Sequence, residues 1–206
     1  MKIGLFFGSF NPIHIGHLIL ANTIAESAKL DKVWFVVSPQ NPFKKKETLL
    51  HEFDRYDMVE KAIFDNIRLA ACDAEFHLPK PSYTIDTLTY LHEKYPKYEF
   101  SILMGSDNLL NLKKWKNYEK VLEYHQIHVY PRPNKNTGIS AGASVLEENN
   151  LLNELYAHPN VHITNAPLLE ISATYLRERI QNEQSIRYLV PEMLAEYIKR
   201  KKFYLK

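Results

Sequence analysis

Apolar and polar positions along this chain switch between two spacings, and the switches outline its elements. Short apolar runs recur at Lys2–Phe7, Val33–Val37, Ile67–Cys72, Phe100–Met104, Ile127–Tyr130 and Val161–Ile163. Runs of this length, bounded by turn residues, predict strands buried on both faces of a parallel sheet. Between them the spacing lengthens to that of helices. Leu18, Leu20, Ala21, Ile24 and Ala25 mark a first helix, Met58, Ala62 and Ile63 a second over Asp54–Phe64, and Ile85, Leu88 and Leu91 a third. Ser82 is the expected N-cap of that third helix. Strands alternating with helices predict an α/β fold, a parallel sheet flanked by helices with right-handed crossovers. Val145–Tyr156 predicts an exposed acidic helix after a flexible Asn134–Ala143 loop. Leu176, Arg177 and Ile180, then a last segment ending in Lys199–Lys202, predict a small C-terminal helical part.

Size and composition narrow the class. With 206 residues, 45% hydrophobic and 24% charged, the chain suits one soluble domain spanning residues 1–206. A net charge of +2 gives no general case for nucleic-acid or membrane partners, so any anion affinity must be local. Cys72 is the sole cysteine, which excludes an intrachain disulfide and suits a reducing cytoplasm, with packing as its expected role. No apolar run nears the roughly 18 residues of a membrane span. The expectation is a cytoplasmic protein; a homo-oligomer is allowed but not specified.

Chemistry concentrates where strands end. The first run breaks at Gly8-Ser9-Phe10-Asn11-Pro12, and His14, Gly16 and His17 then open the first helix. A helix start presents N–H groups and partial positive charge to an anion, and residues three apart share a face. Gly16 removes a side chain where a ligand would approach backbone, and a nearby phosphate would favour the imidazolium form of both histidines. Ser172, Thr174 and Arg177 offer hydroxyls and a bidentate donor at a second helix start. Lys44 and Arg132 add cations at loops after strands; Gly105 and Asp107 close the fourth strand, where open α/β sheets bind ligands. Tyr83 and Thr84 sit at a helix start and Trp115 in a polar stretch. Taken singly, each has an ordinary alternative: a cap, a turn residue, a solvated lysine run, a core tryptophan.

Six segments change that balance: GSFNPIHIGH, PSYTIDTL, MGSDNLLNLKKW, YPRP, ISATYLR and YLVPEMLAEYI, spread from Lys2 to about Ile198. The first and fifth resemble the GxFDPxHxGH and ISSTxIR signatures of the nucleotidyltransferase superfamily. PSYTIDTL with the Asp107–Trp115 segment resembles one branch, the nicotinate-nucleotide adenylyltransferases of bacterial NAD synthesis. The resemblance implies a Rossmann-like nucleotidyltransferase fold and transfer of AMP from ATP to nicotinate mononucleotide, giving nicotinate adenine dinucleotide and pyrophosphate. It implies that Gly8, Ser9, Phe10, His14, His17, Ser172, Thr174 and Arg177 meet ATP, with His14, His17 and Arg177 catalytic. It implies that Tyr83, Thr84 and Trp115 hold the nicotinate ring and carboxylate, with Asp107 near ribose, Lys44 near the acceptor phosphate, and Gly105 and Arg132 beside them. Magnesium would arrive on the triphosphate, with no protein metal ligand. Three positions depart from the pattern: Asn11 for aspartate, Ala173 for serine, and NPFK with Phe43 in place of PPHK. Alternatives that stay open are nicotinamide mononucleotide or phosphopantetheine as acceptor, and a silent nucleotide-binding regulatory module.

Overall fold

The computed structural model describes residues 1–40, 49–132 and 153–205. Its six strands are β1 (Lys2–Gly8), β2 (Lys32–Val37), β3 (Leu69–Cys72), β4 (Glu99–Gly105), β5 (Ile127–Tyr130) and β6 (Val161–Ile163). They form one sheet in the order β3-β2-β1-β4-β5-β6, and every pairing is parallel. The helices of the first part are α1 (Ile15–Ser27), α2 (Glu52–Ile63), α3 (Thr84–Lys94), α4 (Ser106–Leu109) and α5 (Tyr118–Tyr124). Two more, α6 (Ala173–Gln181) and α7 (Glu192–Lys201), follow the last strand. All six expected strands are present, β5 and β6 with the expected bounds and the others with ends that shift by one or two residues.

Strand alternation divides the core in two. Gly4 and Phe6 of β1 and Val33, Phe35 and Val37 of β2 face one side, where α1, α2, α6 and α7 bring Ile24, Met58, Leu176 and Leu194. Ile3 and Leu5 with Val36 and Ile102 face the other, against Leu88 and Leu91 of α3 and Val121 of α5. The C-terminal helices therefore belong to the sheet's packing, with Leu176 and Leu194 fully buried. Burying a leucine is worth about 1.5–3 kcal/mol, so this part is held by the same core that holds α1. Cys72 lies in the second cluster, and burial pushes its thiol up to about 11, which fits a packing role.

β1 is the pivot. Its sheet neighbours are β2 on one side and β4 on the other, where the strand order reverses, which opens a crevice beyond the carboxyl ends of β1 and β4. Gly8 ends one strand and Gly105 the other, so the two loops richest in candidate residues emerge side by side. Residues 153–156 are helical, matching the end of the expected acidic helix. The rest of that helix and the 134–143 loop lie outside the described residues, as do Phe43 and Lys44. No helix among the described residues is long and apolar enough to cross a membrane.

Candidate active site

The loop after β1 is fixed from several directions. Phe10 takes a left-handed backbone at φ 45°, and its ring is buried, edge-on to His17 at 5.2 Å and to Phe35 at 5.4 Å. A non-glycine residue there is uncommon and marks a turn held by its surroundings. A side chain at Gly8 would strike that ring within 2.8 Å, so the glycine lets the phenylalanine fold back under the loop. Asn11 is buried; its side-chain oxygen accepts from the Tyr204 hydroxyl at 2.8 Å and from the Leu50 N–H at 3.3 Å. The amide, where the signature pattern has aspartate, accepts two hydrogen bonds and ties the loop to Tyr204 near the chain's far end.

His14 is the N-cap of α1 and His17 its third residue. Their rings stack with centroids 3.7 Å apart at 26°. The His14 backbone N–H donates to His17 Nδ1 at 3.3 Å, which leaves Nε2 of His17 to carry the proton. Sequence spacing put both on one face, and the structure does so. Among the protein's own groups, burial, then Arg132, pushes His14 down to about 4, so the neutral ring prevails at pH 7; the expected imidazolium depends on a phosphate beside it. Its Nδ1 is buried with no protein partner among the described residues. Gly16 also serves a different end from the one expected. A Cβ there would lie 2.5 Å from Ile171 and 3.0 Å from His14 Nδ1, so the glycine admits the segment before α6. Nor are the first N–H groups of α1 all directed at a ligand: Ile15 donates to the Leu189 carbonyl and His17 to that of His14.

The second signature closes on the first. Ser172 caps α6 by accepting from the Tyr175 N–H at 3.2 Å. Arg177 donates to the Asn11 carbonyl at 2.8 Å and to the Thr174 hydroxyl at 3.1 Å, spanning 166 residues of sequence. A cavity of about 430 Å³ is lined by Gly8, Ser9, Phe10, Asn11, His14, His17, Ser172, Ala173, Thr174 and Arg177. Asp107 and Arg132 line the same cavity, paired at 3.0 Å. Gly105 makes room for that pair, since a Cβ would lie 2.4 Å from Asp107 Oδ1. The sequence grouped Asp107 and Arg132 with the acceptor residues; the structure sets them across the sheet's crevice from the histidines' loop.

Beside it lies a second recess of about 130 Å³, lined by Tyr83, Thr84, Trp115, Lys114, Lys116, Glu75 and Ser82. Thr84 starts α3 and Tyr83 is its N-cap; the expected cap, Ser82, instead donates its hydroxyl to Glu75 at 2.8 Å. Trp115 is half-buried at the rim, and Lys116 stands 5.1 Å above the Tyr83 ring while pairing with Asp86 at 3.0 Å. Phe7, Gly8, Gln40, Leu103, Met104 and Asn108 line both spaces, so the two adjoin through one wall.

Sequence reasoning missed the group beneath that wall. Arg55 of α2 is fully buried, and its guanidinium donates to the carbonyls of Ser9, Ser38, Pro39 and Leu50 at 2.6–3.1 Å. The signal was present, since Arg55, Met58, Val59 and Ala62 form the inward stripe of α2. An arginine on an apolar stripe must find partners inside. Glu75 in the 3-10 turn after β3 carried no such signal.

The comparisons agree with this geometry. A cytidylyltransferase-like family model matches residues 5–179. A probable nicotinate-nucleotide adenylyltransferase of Cytophaga hutchinsonii is 54% identical over 99% of this chain and 98% of its own. One of Flavobacterium psychrophilum is 50% identical over the whole of both. Among solved structures, Plasmodium falciparum nicotinic acid mononucleotide adenylyltransferase complexed with NaAD shares the fold, with TM-score 0.73 and 21% identity over 98% and 97% of the chains. With both signatures walling one cavity and full-length relatives at half identity or more, this chain belongs to the nicotinate-nucleotide adenylyltransferases, enzymes of the cytidylyltransferase-like family.

Proposed function

We propose that the cleft transfers AMP from ATP to nicotinate mononucleotide, with the triphosphate in the larger cavity and the acceptor in the smaller recess. The observation that carries this reading is the common wall: two spaces meet over the ends of β1 and β4, one walled by imidazoles and guanidinium, the other by aromatics. A phosphate oxygen of the mononucleotide attacks the α-phosphorus across that wall, and the α–β bridging oxygen leaves with pyrophosphate. Both reactants are polyanions, so holding them in line and neutralising the leaving group accounts for most of the acceleration. His17, with its tautomer fixed, donates from Nε2 to a phosphate oxygen. Arg177, already anchored to Asn11 and Thr174, needs little reordering to meet the leaving phosphates.

The recess supports an acid in preference to an amide. The start of α3 at Tyr83 and Thr84 offers N–H donors, and Lys116 adds a cation above Tyr83. An amide group there presents its own N–H groups to those donors, an unfavourable match. Among the described residues, Asp107 is the carboxylate lining the larger cavity, and Arg132 already pairs with it. That donor set suits a magnesium ion held by triphosphate oxygens and water, where it would neutralise phosphate charge.

Incubation with ATP, magnesium and either mononucleotide, following pyrophosphate release, tests the reading. Faster release with the acid supports it. No release with either removes the reaction, and faster release with the amide reverses the acceptor assignment.

A further inference from the structure

Glu75 stands out as a buried carboxylate that the transfer chemistry does not use. It is 3% exposed, yet it lines the recess that holds Tyr83, Thr84 and Trp115. One oxygen accepts from the Ser82 hydroxyl at 2.8 Å and the other from the Thr87 hydroxyl at 3.2 Å. Ser82 directly precedes the N-cap of α3, and Thr87 lies in that helix's first turn. The carboxylate thus grips both sides of the backbone that carries the Tyr83 and Thr84 N–H groups. A side-chain hydrogen bond from Ser38 reaches it from the end of β2. Ser38 in turn donates its N–H to the Gly8 carbonyl at 2.9 Å and gives its own carbonyl to Arg55 at 2.8 Å. Arg55 continues to the Ser9 carbonyl at 2.6 Å. A polar chain, buried at Arg55 and Glu75, therefore runs from the Ser9 loop, through Arg55 and Ser38, to the start of α3.

We propose that Glu75 is a positioning residue for the acceptor, setting the start of α3 at a fixed place relative to the Ser9 loop. This rests on the reading of the smaller recess as the acceptor site. The physical case is one of satisfaction. A carboxylate accepts on both oxygens at once, so it can hold two hydroxyls and a third donor together. Elements joined only by apolar contact could slide by fractions of an ångström, and N–H donors displaced on that scale hold the acceptor's carboxylate less well. Burial pushes the Glu75 carboxyl up, and the three hydroxyl donors, with the Arg55 charge at longer range, pull against that rise.

Glu75→Gln keeps the shape but replaces one acceptor oxygen with a donor, so one of the two hydroxyls loses its acceptor. The expected result is a KM for the mononucleotide raised about tenfold, with KM for ATP within about twofold and kcat within about threefold. Thr87→Val, which removes a single hydroxyl at equal volume, should raise the same KM by a smaller factor of about three. Unchanged mononucleotide KM in the glutamine variant, or an equal rise in both KM values, overturns the proposal. If that variant does not fold, Thr87→Val and Ser82→Ala decide by the same split between the two KM values. Wild-type protein that releases no pyrophosphate with either mononucleotide would instead remove the underlying functional reading.

Discussion

The two halves of the cleft are built differently. In the larger cavity, His14 and Asn11 are at most 4% exposed, and Arg177 is tied to a carbonyl 166 residues away. Tyr204 and Arg55 brace the same loop from the chain's far end and from α2. In the smaller recess, Tyr83 is 38% exposed, Trp115 half-buried, and Lys116 is held by a surface ion pair with Asp86. Exposed pairs of that kind contribute about 0–1 kcal/mol. On the proposed reading, the part common to the two signatures is thus set into backbone and core, whereas acceptor choice rests on side chains at a rim. Below them lies the Glu75 network, whose hydrogen bonds are buried.

The sharpest way to break this contrast is His17→Ala. Loss of a fixed donor at developing charge should lower kcat by about 10²–10³-fold, with thermal stability little changed. Near-normal turnover would mean that the stacked imidazoles only pack. A second measurement concerns pH. His14 is held at about 4 against 6.5 when unfolded, so between these values the unfolded chain binds a proton that the folded chain refuses. Stability is full above about pH 7 and falls as pH drops, by roughly 2 kcal/mol between pH 7.5 and 5. His128, pushed down to about 4 by burial and His162, acts in the same direction. Urea unfolding at the two pH values checks this, and His14→Asn should remove a large share of the slope. A flat profile would show the triphosphate wall to be looser than its hydrogen bonds suggest. The smallest effect is expected at the rim: Trp115→Ala should raise mononucleotide KM about tenfold with little change for ATP. An unchanged KM would return Trp115 to a packing role.

Much of this was legible in the sequence because its signals are local. Each strand is a short run with a turn behind it, and burial on both faces of a parallel sheet makes those runs almost continuously apolar. His14, His17, Thr174 and Arg177 could be named because the two signatures are contiguous strings. Their convergence is a matter of topology, which β1 settles by sitting between β2 and β4. What escaped was long-range pairing. Nothing near Ser82 in sequence shows that its hydroxyl serves Glu75 instead of capping α3. Nothing near Asn11 points to Tyr204. Gly16 reads as a space for ligand until Ile171 is found against it. The pairing of Asp107 with Arg132 likewise depends on β4 lying beside β5.

The partition formed by Phe7, Gly8, Gln40, Leu103, Met104 and Asn108 carries a practical corollary for inhibitor design. A compound with a polyanion-mimicking head and an aromatic tail, joined by a linker short enough to cross that ridge, would engage both compartments at the cost of immobilising one molecule instead of two. Its selectivity would come from the tail, because the head meets the parts this chain has in common with every enzyme carrying the same two signatures.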